Sequence, residues 1–242
     1  MPQPVGIAQP GQLDIVKRPD LLVPSPSEYS YSPSAEATQL ASKRDANGRT
    51  WYSFVPAGDT AAPVVLLLHG AGRDGLSMID MWKDVAKTHD MVLIAPNSMA
   101  QIWDKSELSA TLVDKMLSDA SKSRAIDGGN VFLFGHSNGA TYAAYLLNRR
   151  VGPWRAAALH GGFGPSETYV PAADPKPIRI YLGTQDHIFG VTAARRSAVS
   201  LSKSGHRTDL HLIPGHSHWF YAIGPKIAQD SWEWLQTTRT FD

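Results

Sequence analysis

A serine between two glycines stands near the middle of the sequence, in the pentapeptide Gly135-His136-Ser137-Asn138-Gly139. An apolar run at 130–134 precedes it directly, and a helix-like stretch at 140–149 follows. Between a strand and a helix, G-x-S-x-G is typical of a nucleophilic serine on a strained turn at the carboxyl edge of a sheet. Side chains at the two glycine positions would collide with the neighbouring strand and helix. The motif therefore predicts nucleophilic catalysis by Ser137.

A second glycine-containing stretch, His69-Gly70-Ala71-Gly72, follows the apolar run at 64–68. Acyl transfer to a serine passes through a tetrahedral oxyanion, which needs preorganised N–H donors. These donors normally come from the residue after the nucleophile and from a loop after an earlier strand. We therefore expect the backbone amides of Asn138 and Ala71 to form an oxyanion hole.

The stretch from Gly70 to Gly75 also matches G-x-G-x-x-G, the phosphate-binding motif of dinucleotide-binding folds. That interpretation requires an acidic residue near the end of the next strand to bind the ribose. The next strand-like run, 91–95, leads instead into Pro96-Asn97-Ser98, which contains no carboxylate. The sequence therefore predicts that no nucleotide cofactor binds here.

Asp186 is the acidic residue best placed to orient a catalytic histidine. In catalysis of this type the residues follow one another as serine, then aspartate or glutamate, then histidine, each at the carboxyl end of a strand. Asp186 follows the apolar run at 178–182 through a short turn. The other acidic residues before the last histidines lie in a proline-rich connection, before a strand or at the start of one: Glu167, Asp174 and Asp209.

Two histidines, His216 and His218, compete for the role of general base after the last strand-like run, 210–213. His218 lies two residues further from the strand than His216, which lets the loop curl back over the serine, and an aromatic run that can pack the loop begins at Trp219. Both features favour His218 as the base and leave His216 as the alternative. An H-x-H pair can also bind a metal. A hydrolytic metal site needs three or more ligands, however, and no second cluster lies nearby in the sequence, so no metal is predicted.

Three aromatic residues fall in loops at the expected edge of the site: Trp103, Phe163 and Trp219. We expect them to contact the substrate, with ordinary packing of aromatic side chains as the alternative.

The elements that must position these residues alternate between short apolar runs and helix-like stretches. Such alternation predicts an α/β fold with a mostly parallel sheet and helices on both faces. The runs are 64–68, 91–95, 130–134, 156–160, 178–182 and 210–213, and the helix-like stretches are 78–88, 108–121, 140–149, 192–202 and 227–236. The connection 161–177 is too short to fold as a lid domain.

The N-terminal part of the sequence has a different pattern. Residues 1–35 are rich in proline and show no hydrophobic period, which predicts an extended arm outside a catalytic domain at 36–242. Strand-like runs between Glu36 and Val55 surround Asn47-Gly48, a dipeptide that favours a type I′ turn, so we expect an antiparallel hairpin before the parallel strands.

The composition describes a globular protein without a charged partner. The 242 residues are 43% hydrophobic and 19% charged, with a net charge of +1 and no dense run of Lys or Arg. This balance favours neither nucleic acid nor a membrane surface as a partner, and no apolar stretch reaches the roughly 18 residues of a membrane span. The absence of cysteine excludes disulfides and a cysteine nucleophile. No signal peptide is visible, and compartment and oligomeric state stay open.

Together, the four motifs around His69, Ser137, Asp186 and His218 resemble those of the polyhydroxybutyrate depolymerase and feruloyl esterase-like branch of the α/β-hydrolases. The resemblance covers about residues 49–235. It implies the α/β-hydrolase fold, a lidless site, and carboxylic esters as substrates, including aryl esters and polyesters.

The residues and the resemblance lead to one functional expectation. Ser137, His218 and Asp186 act as a catalytic triad on a small-molecule or polymeric ester, without a cofactor. The alternatives are an amidase or peptidase on the same fold and a catalytically idle relative that binds a ligand.

Overall fold

The computed structural model describes residues 9–240, which contain nine β-strands and six α-helices. The strands are β1 (Leu13–Lys17), β2 (Lys43–Arg44), β3 (Thr50–Phe54), β4 (Ala62–Leu68), β5 (Val92–Pro96), β6 (Ile126–His136), β7 (Trp154–His160), β8 (Ile178–Gly183) and β9 (Thr208–Ile213). The helices are α1 (Ala35–Thr38), α2 (Gly75–His89), α3 (Ala110–Ser121), α4 (Asn138–Arg149), α5 (Val191–Lys203) and α6 (Gly224–Leu235).

The strands form one sheet in the order β1-β9-β8-β7-β6-β4-β5-β3-β2. From β1 to β5 all neighbours are parallel, while β3 pairs antiparallel with β5 and β2 antiparallel with β3. The predicted mostly parallel sheet, with an antiparallel hairpin that precedes its central strands in the sequence, is therefore confirmed.

The central strands are apolar because helices cover both faces of the sheet. Every residue of β4 is buried. Its alternate side chains enter two different cores, with Leu66 on one face and Leu67 on the other. The core that contains Leu67 also holds Trp82 of α2 and Trp232 of α6, and the opposite core holds Tyr142 of α4. The sheet is thus the middle of three layers, with one hydrophobic core on each of its faces.

The hairpin turn differs from the predicted type I′ turn. A type I′ turn needs positive φ at both central residues. Gly48 has a φ of 80°, but Asn47 is not among the residues with positive φ. The carboxylate of Asp45 instead accepts hydrogen bonds from the amides of Asn47 (2.8 Å) and Arg49 (2.9 Å). An aspartate that caps the turn thus replaces the second left-handed residue.

The predicted N-terminal arm at 1–35 is partly wrong, because residues 13–17 form β1 within the sheet. β1 pairs in parallel with β9, with Leu13 opposite Thr208 and Lys17 opposite Leu212. Leu13 and Ile15 alternate with Asp14 and pack against the core, a period-2 signal too short to stand out from the surrounding prolines. The first eight residues of that arm lie outside the described residues.

The connection 161–177 contains a single 3₁₀ turn at Ser166–Thr168, so no inserted domain covers the carboxyl edge of the sheet in the described part of the chain. Between residues 9 and 240, no helix is long and apolar enough to cross a membrane.

Candidate active site

Three loops at the carboxyl edge of the sheet bring a serine, a histidine and an aspartate into line. Ser137 follows β6, Asp186 follows β8 and His218 follows β9. The Oγ of Ser137 lies 2.9 Å from Nε2 of His218, and Nδ1 of His218 lies 2.8 Å from Oδ2 of Asp186. The three residues that the sequence singles out for a triad therefore form one continuous hydrogen-bonded line.

Ser137 is held in a backbone conformation that side chains rarely adopt, with φ 54° and ψ −119°. The sharp turn depends on the glycines beside it. A Cβ on Gly139 would lie 2.2 Å from the carbonyl oxygen of Leu68, and one on Gly135 would lie 2.4 Å from that of Gly139. The amide of Ser137 donates to the carbonyl of His160 at 2.9 Å. Strand, turn and helix thus meet too closely for any larger residue, and the serine hydroxyl projects outward.

Asp186 is tied down on both carboxylate oxygens. Oδ2 faces His218, while Oδ1 accepts hydrogen bonds from the amides of Ile188 and Phe189, both at 2.8 Å. Burial of the side chain acts to raise the pKa of Asp186, but the hydrogen bonds from His218 and from the two amides outweigh it. The pKa therefore lies below its ordinary value and the carboxylate is charged at neutral pH. A charged acceptor at Nδ1 favours the tautomer of His218 whose Nε2 is free to take a proton.

His216, the alternative base, does not approach Ser137. Its Nε2 lies 3.0 Å from Nε2 of His160, and its side chain is almost fully buried. His216 and His218 therefore direct their Nε2 atoms at different partners, and the H-x-H pair does not converge on one point.

The contact of His216 belongs to a buried histidine triplet, His136, His160 and His216. Nδ1 of His136 lies 3.1 Å from Nδ1 of His160 and 3.3 Å from its carbonyl oxygen. Because a carbonyl can only accept, a proton on Nδ1 of His136 satisfies both contacts. His160 then carries its proton on Nε2 and donates to His216, so every member of the triplet is neutral.

Burial favours these neutral forms. It lowers the pKa of His136 to about 3 and that of His216 to about 4, and it takes the pKa of His160 well below its ordinary value. His136 packs next to the catalytic line, with its ring 5.2 Å from that of His218. The triplet thus connects the serine turn to the loop that carries His218.

The loop after β4 lies beside the serine turn: Gly70 and Ala71 line the same cavity as Ser137, and a Cβ on Gly70 would lie 3.3 Å from that of Ser137. Asn138 is the first residue of α4, where amides have no acceptor within the helix. Ala71 therefore lines the cavity with Ser137, and Asn138 follows Ser137 directly in the sequence, while their role as oxyanion donors stays a prediction.

Two of the three aromatic residues predicted to contact substrate are instead buried supports. Trp103 is 6% exposed, donates from Nε1 to the carbonyl of His69 at 2.9 Å, and donates from its amide to the side chain of Asn138 at 2.7 Å. Phe163 is 7% exposed and packs edge-on against Phe189. Trp103 thus connects the strand end at His69 to the first residue of α4, and neither ring lines the cavity. Both rings instead pack in the hydrophobic core that contains Leu66.

Trp219, the third aromatic residue, does line the cavity, which has a volume of about 570 Å³. Residues that the sequence interpretation missed also line it: Tyr29, Arg73, His187, Ile188, Ser217 and Tyr221. Tyr221 could have been found, because it continues the aromatic run after His218. Tyr29 carried no signal, since it lies in the proline-rich segment.

Comparison with known proteins places the sequence among hydrolases. The model of the dienelactone hydrolase family matches residues 80–241. No curated protein matches the sequence.

Solved esterases share the fold at low sequence identity. A thermophilic esterase from the Planctomycetes species Thermogutta terrifontis is similar with a TM-score of 0.66 and 16% identity, over 84% of this chain and 93% of the esterase. An S-formylglutathione hydrolase from Agrobacterium tumefaciens has a TM-score of 0.65 and 14% identity, over 82% of this chain and 94% of the hydrolase. A thermostable esterase has a TM-score of 0.62 and 19% identity, over 82% of this chain but only 62% of the esterase. The predicted α/β-hydrolase fold is confirmed, while the polyhydroxybutyrate depolymerase and feruloyl esterase-like branch stays a prediction.

Proposed function

Because the chain belongs to the dienelactone hydrolase family, we propose that it is a serine hydrolase of carboxylic esters with Ser137 as its nucleophile. The observation that carries the proposal is the line from Ser137 through His218 to Asp186, with contacts of 2.9 and 2.8 Å. An activated serine needs a base within hydrogen-bond reach and a third group that orients the base. Both requirements are met beside an open cavity.

The reaction begins when Nε2 of His218 takes the proton of Ser137 as Oγ attacks the ester carbonyl. The positive charge that forms on the imidazole is stabilised by the carboxylate of Asp186, which stays ionised because its pKa is low. The amides of Ala71 and Asn138 are the proposed donors to the oxyanion. His218 then returns the proton to the leaving alcohol, and the same groups activate a water that hydrolyses the acyl-enzyme. No step requires a cofactor.

The substrate class follows from the cavity and from the resemblance of the motifs. At about 570 Å³, the cavity is within the range of small-molecule sites, and the connection 161–177 contains only a 3₁₀ turn instead of a lid domain. Small-molecule esters therefore fit best. Short-chain esters, aryl esters and the ends of polyesters are the candidates that the polyhydroxybutyrate depolymerase and feruloyl esterase-like motifs suggest.

Labelling by a fluorophosphonate tests the nucleophile directly, because only an activated serine reacts readily. The wild type should be labelled at Ser137 and should hydrolyse ethyl acetate, whereas Ser137→Ala should lose labelling and about 10⁴-fold to 10⁶-fold in turnover. Ser121→Ala, a matched change on the exposed face of α3, should keep both.

A labelled serine elsewhere, or a Ser137→Ala protein with near wild-type turnover, would refute the assignment. Matched esters and amides assayed side by side would distinguish an esterase from an amidase or peptidase. A wild type that is neither labelled nor active would indicate a catalytically idle relative.

A further inference from the structure

Part of the cavity wall comes from residues outside the family match, which begins at residue 80. Tyr29 and Arg73 both line the cavity. Tyr29 is 58% exposed, whereas Trp219 and Tyr221, which lie beside it on the same wall, are half-buried. A single exposed aromatic ring is ordinary on a protein surface, but one that lines a cavity together with other aromatic rings is available to contact a ligand there.

The N-terminal segment is anchored on both sides of Tyr29. Before it, β1 pairs with β9, and the guanidinium of Arg18 forms a 2.5 Å ion pair with Asp230 of α6. After it, the hydroxyl of Tyr31 donates to Asp80 at 2.9 Å. The ring of Tyr31 stacks on Tyr221 with a centroid distance of 4.0 Å. The position of Tyr29 is therefore set by the fold and not by a free end.

Tyr29, Trp219 and Tyr221 form what we call the aromatic rim. Tyr29 meets Trp219 edge-on at 5.6 Å and 74°, and Trp219 meets Tyr221 at 5.3 Å and 66°. The guanidinium of Arg73 lies 4.9 Å from the centre of the Tyr221 ring and 5.9 Å from that of Trp219. Ring edges, ring faces and a cation thus occur together on one wall of the cavity.

We propose that the aromatic rim binds a flat ring of the ester substrate, and that Tyr29 is the specificity-determining residue for it. The proposal rests on the proposed esterase function. An aliphatic group of equal size gains only from its burial in the cavity. A ring gains in addition from edge-to-face contact with Tyr29 and Trp219 and from the nearby cation.

The test compares substrates that differ only in the aromatic character of the alcohol: benzyl acetate and cyclohexylmethyl acetate, with ethyl acetate as the small reference. Hydrolysis is followed by acid release for the wild type, Tyr29→Ala, Tyr29→Phe and Tyr145→Ala. Tyr145 is the matched control, because it lines a different cleft on α4. Thermal unfolding and fluorophosphonate labelling are measured on each protein.

We expect the wild type to prefer benzyl over cyclohexylmethyl acetate in kcat/KM. Tyr29→Ala should lower that preference by about 2-fold to 10-fold, the size of one aromatic pair, mainly through KM. Tyr29→Phe and Tyr145→Ala should keep the preference. Labelling and turnover of ethyl acetate should stay within about 2-fold of the wild type in Tyr145→Ala, and Tyr29→Ala should lose more on benzyl acetate than on either of the other two esters.

An unchanged preference in Tyr29→Ala with labelling intact would overturn the assignment of Tyr29. Equal losses on all three esters would also overturn it, because they would indicate a structural role. A wild type without labelling or ester turnover would instead refute the proposed function, so the two failures are distinguishable.

Discussion

Replacing His160 with leucine removes the middle member of the buried histidine triplet. His160 is fully buried at the end of β7, with Nε2 against His216 and Nδ1 against His136. His136 keeps a fallback acceptor in the backbone carbonyl of residue 160. His216 loses its donor, so one buried acceptor stays unsatisfied. We expect this change to lower the free energy of unfolding by about 2 kcal/mol at pH 8.

The cost should shrink as the pH falls. The folded-state pKa of His160 is depressed, so the unfolded chain binds a proton there that the folded protein does not. Stability from a neutral His160 is complete above its unfolded pKa of about 6.5 and is lost progressively below it. Leucine does not titrate, so the difference in stability between the two proteins should be smaller at pH 5 than at pH 8.

Urea unfolding followed by tryptophan fluorescence at pH 8 and pH 5 measures both values. His160→Gln is the matched control, because glutamine keeps a donor and an acceptor but does not titrate. The stability of His160→Gln should be closer to that of the wild type than the stability of His160→Leu is at pH 8. At pH 5, His160→Gln should be more stable than the wild type. If the difference in the free energy of unfolding between the wild type and His160→Leu were the same at both pH values, the neutral state of the histidine triplet would be refuted.

Two further predictions concern the catalytic loops. His218→Ala should lower kcat on one aryl ester by several orders of magnitude. His216→Ala should retain more activity, because Nε2 of His216 in the wild type faces His160 and not Ser137. A larger loss in His216→Ala than in His218→Ala would transfer the role of base to His216. Ser137→Gly should be inactive, but its free energy of unfolding in urea should exceed that of Ser137→Ala by about 1 kcal/mol, because glycine adopts the positive φ without strain. Equal free energies of unfolding would show that the turn stores no backbone strain.

The central strands and the five long helices could be predicted from the sequence because each has a local signal. The apolar runs mark strands buried on both faces, and the helix-like stretches agree with the observed helices within a few residues. β1 was missed for the opposite reason. Its five residues lie among prolines, and its stability comes from pairing with β9, at the far end of the sequence. No local pattern reports a partner at that distance.

Similar reasoning explains what the sequence predicts of the site. Ser137, Asp186 and His218 each follow a strand, so the rule for strand ends places all three together. The side chains that line the cavity obey no such rule. Trp103 and Phe163 lie in loops like Trp219, but their rings are buried in the hydrophobic core that contains Leu66. Whether a loop aromatic faces a ligand or a neighbour depends on tertiary packing, which motif spacing does not contain.

The pairing of β1 with β9 has a consequence for the order in which the site assembles. Tyr29 follows β1, while its partner Trp219 follows β9, so one wall of the cavity joins segments from opposite ends of the described chain. During synthesis, β1 and Tyr29 cannot make these contacts until β9 and Trp219 have been made. Contacts of such long sequence separation also form slowly. An intermediate in which only the central strands have folded would present Ser137 on its turn without His218, which follows β9, and without the contact between Tyr29 and Trp219.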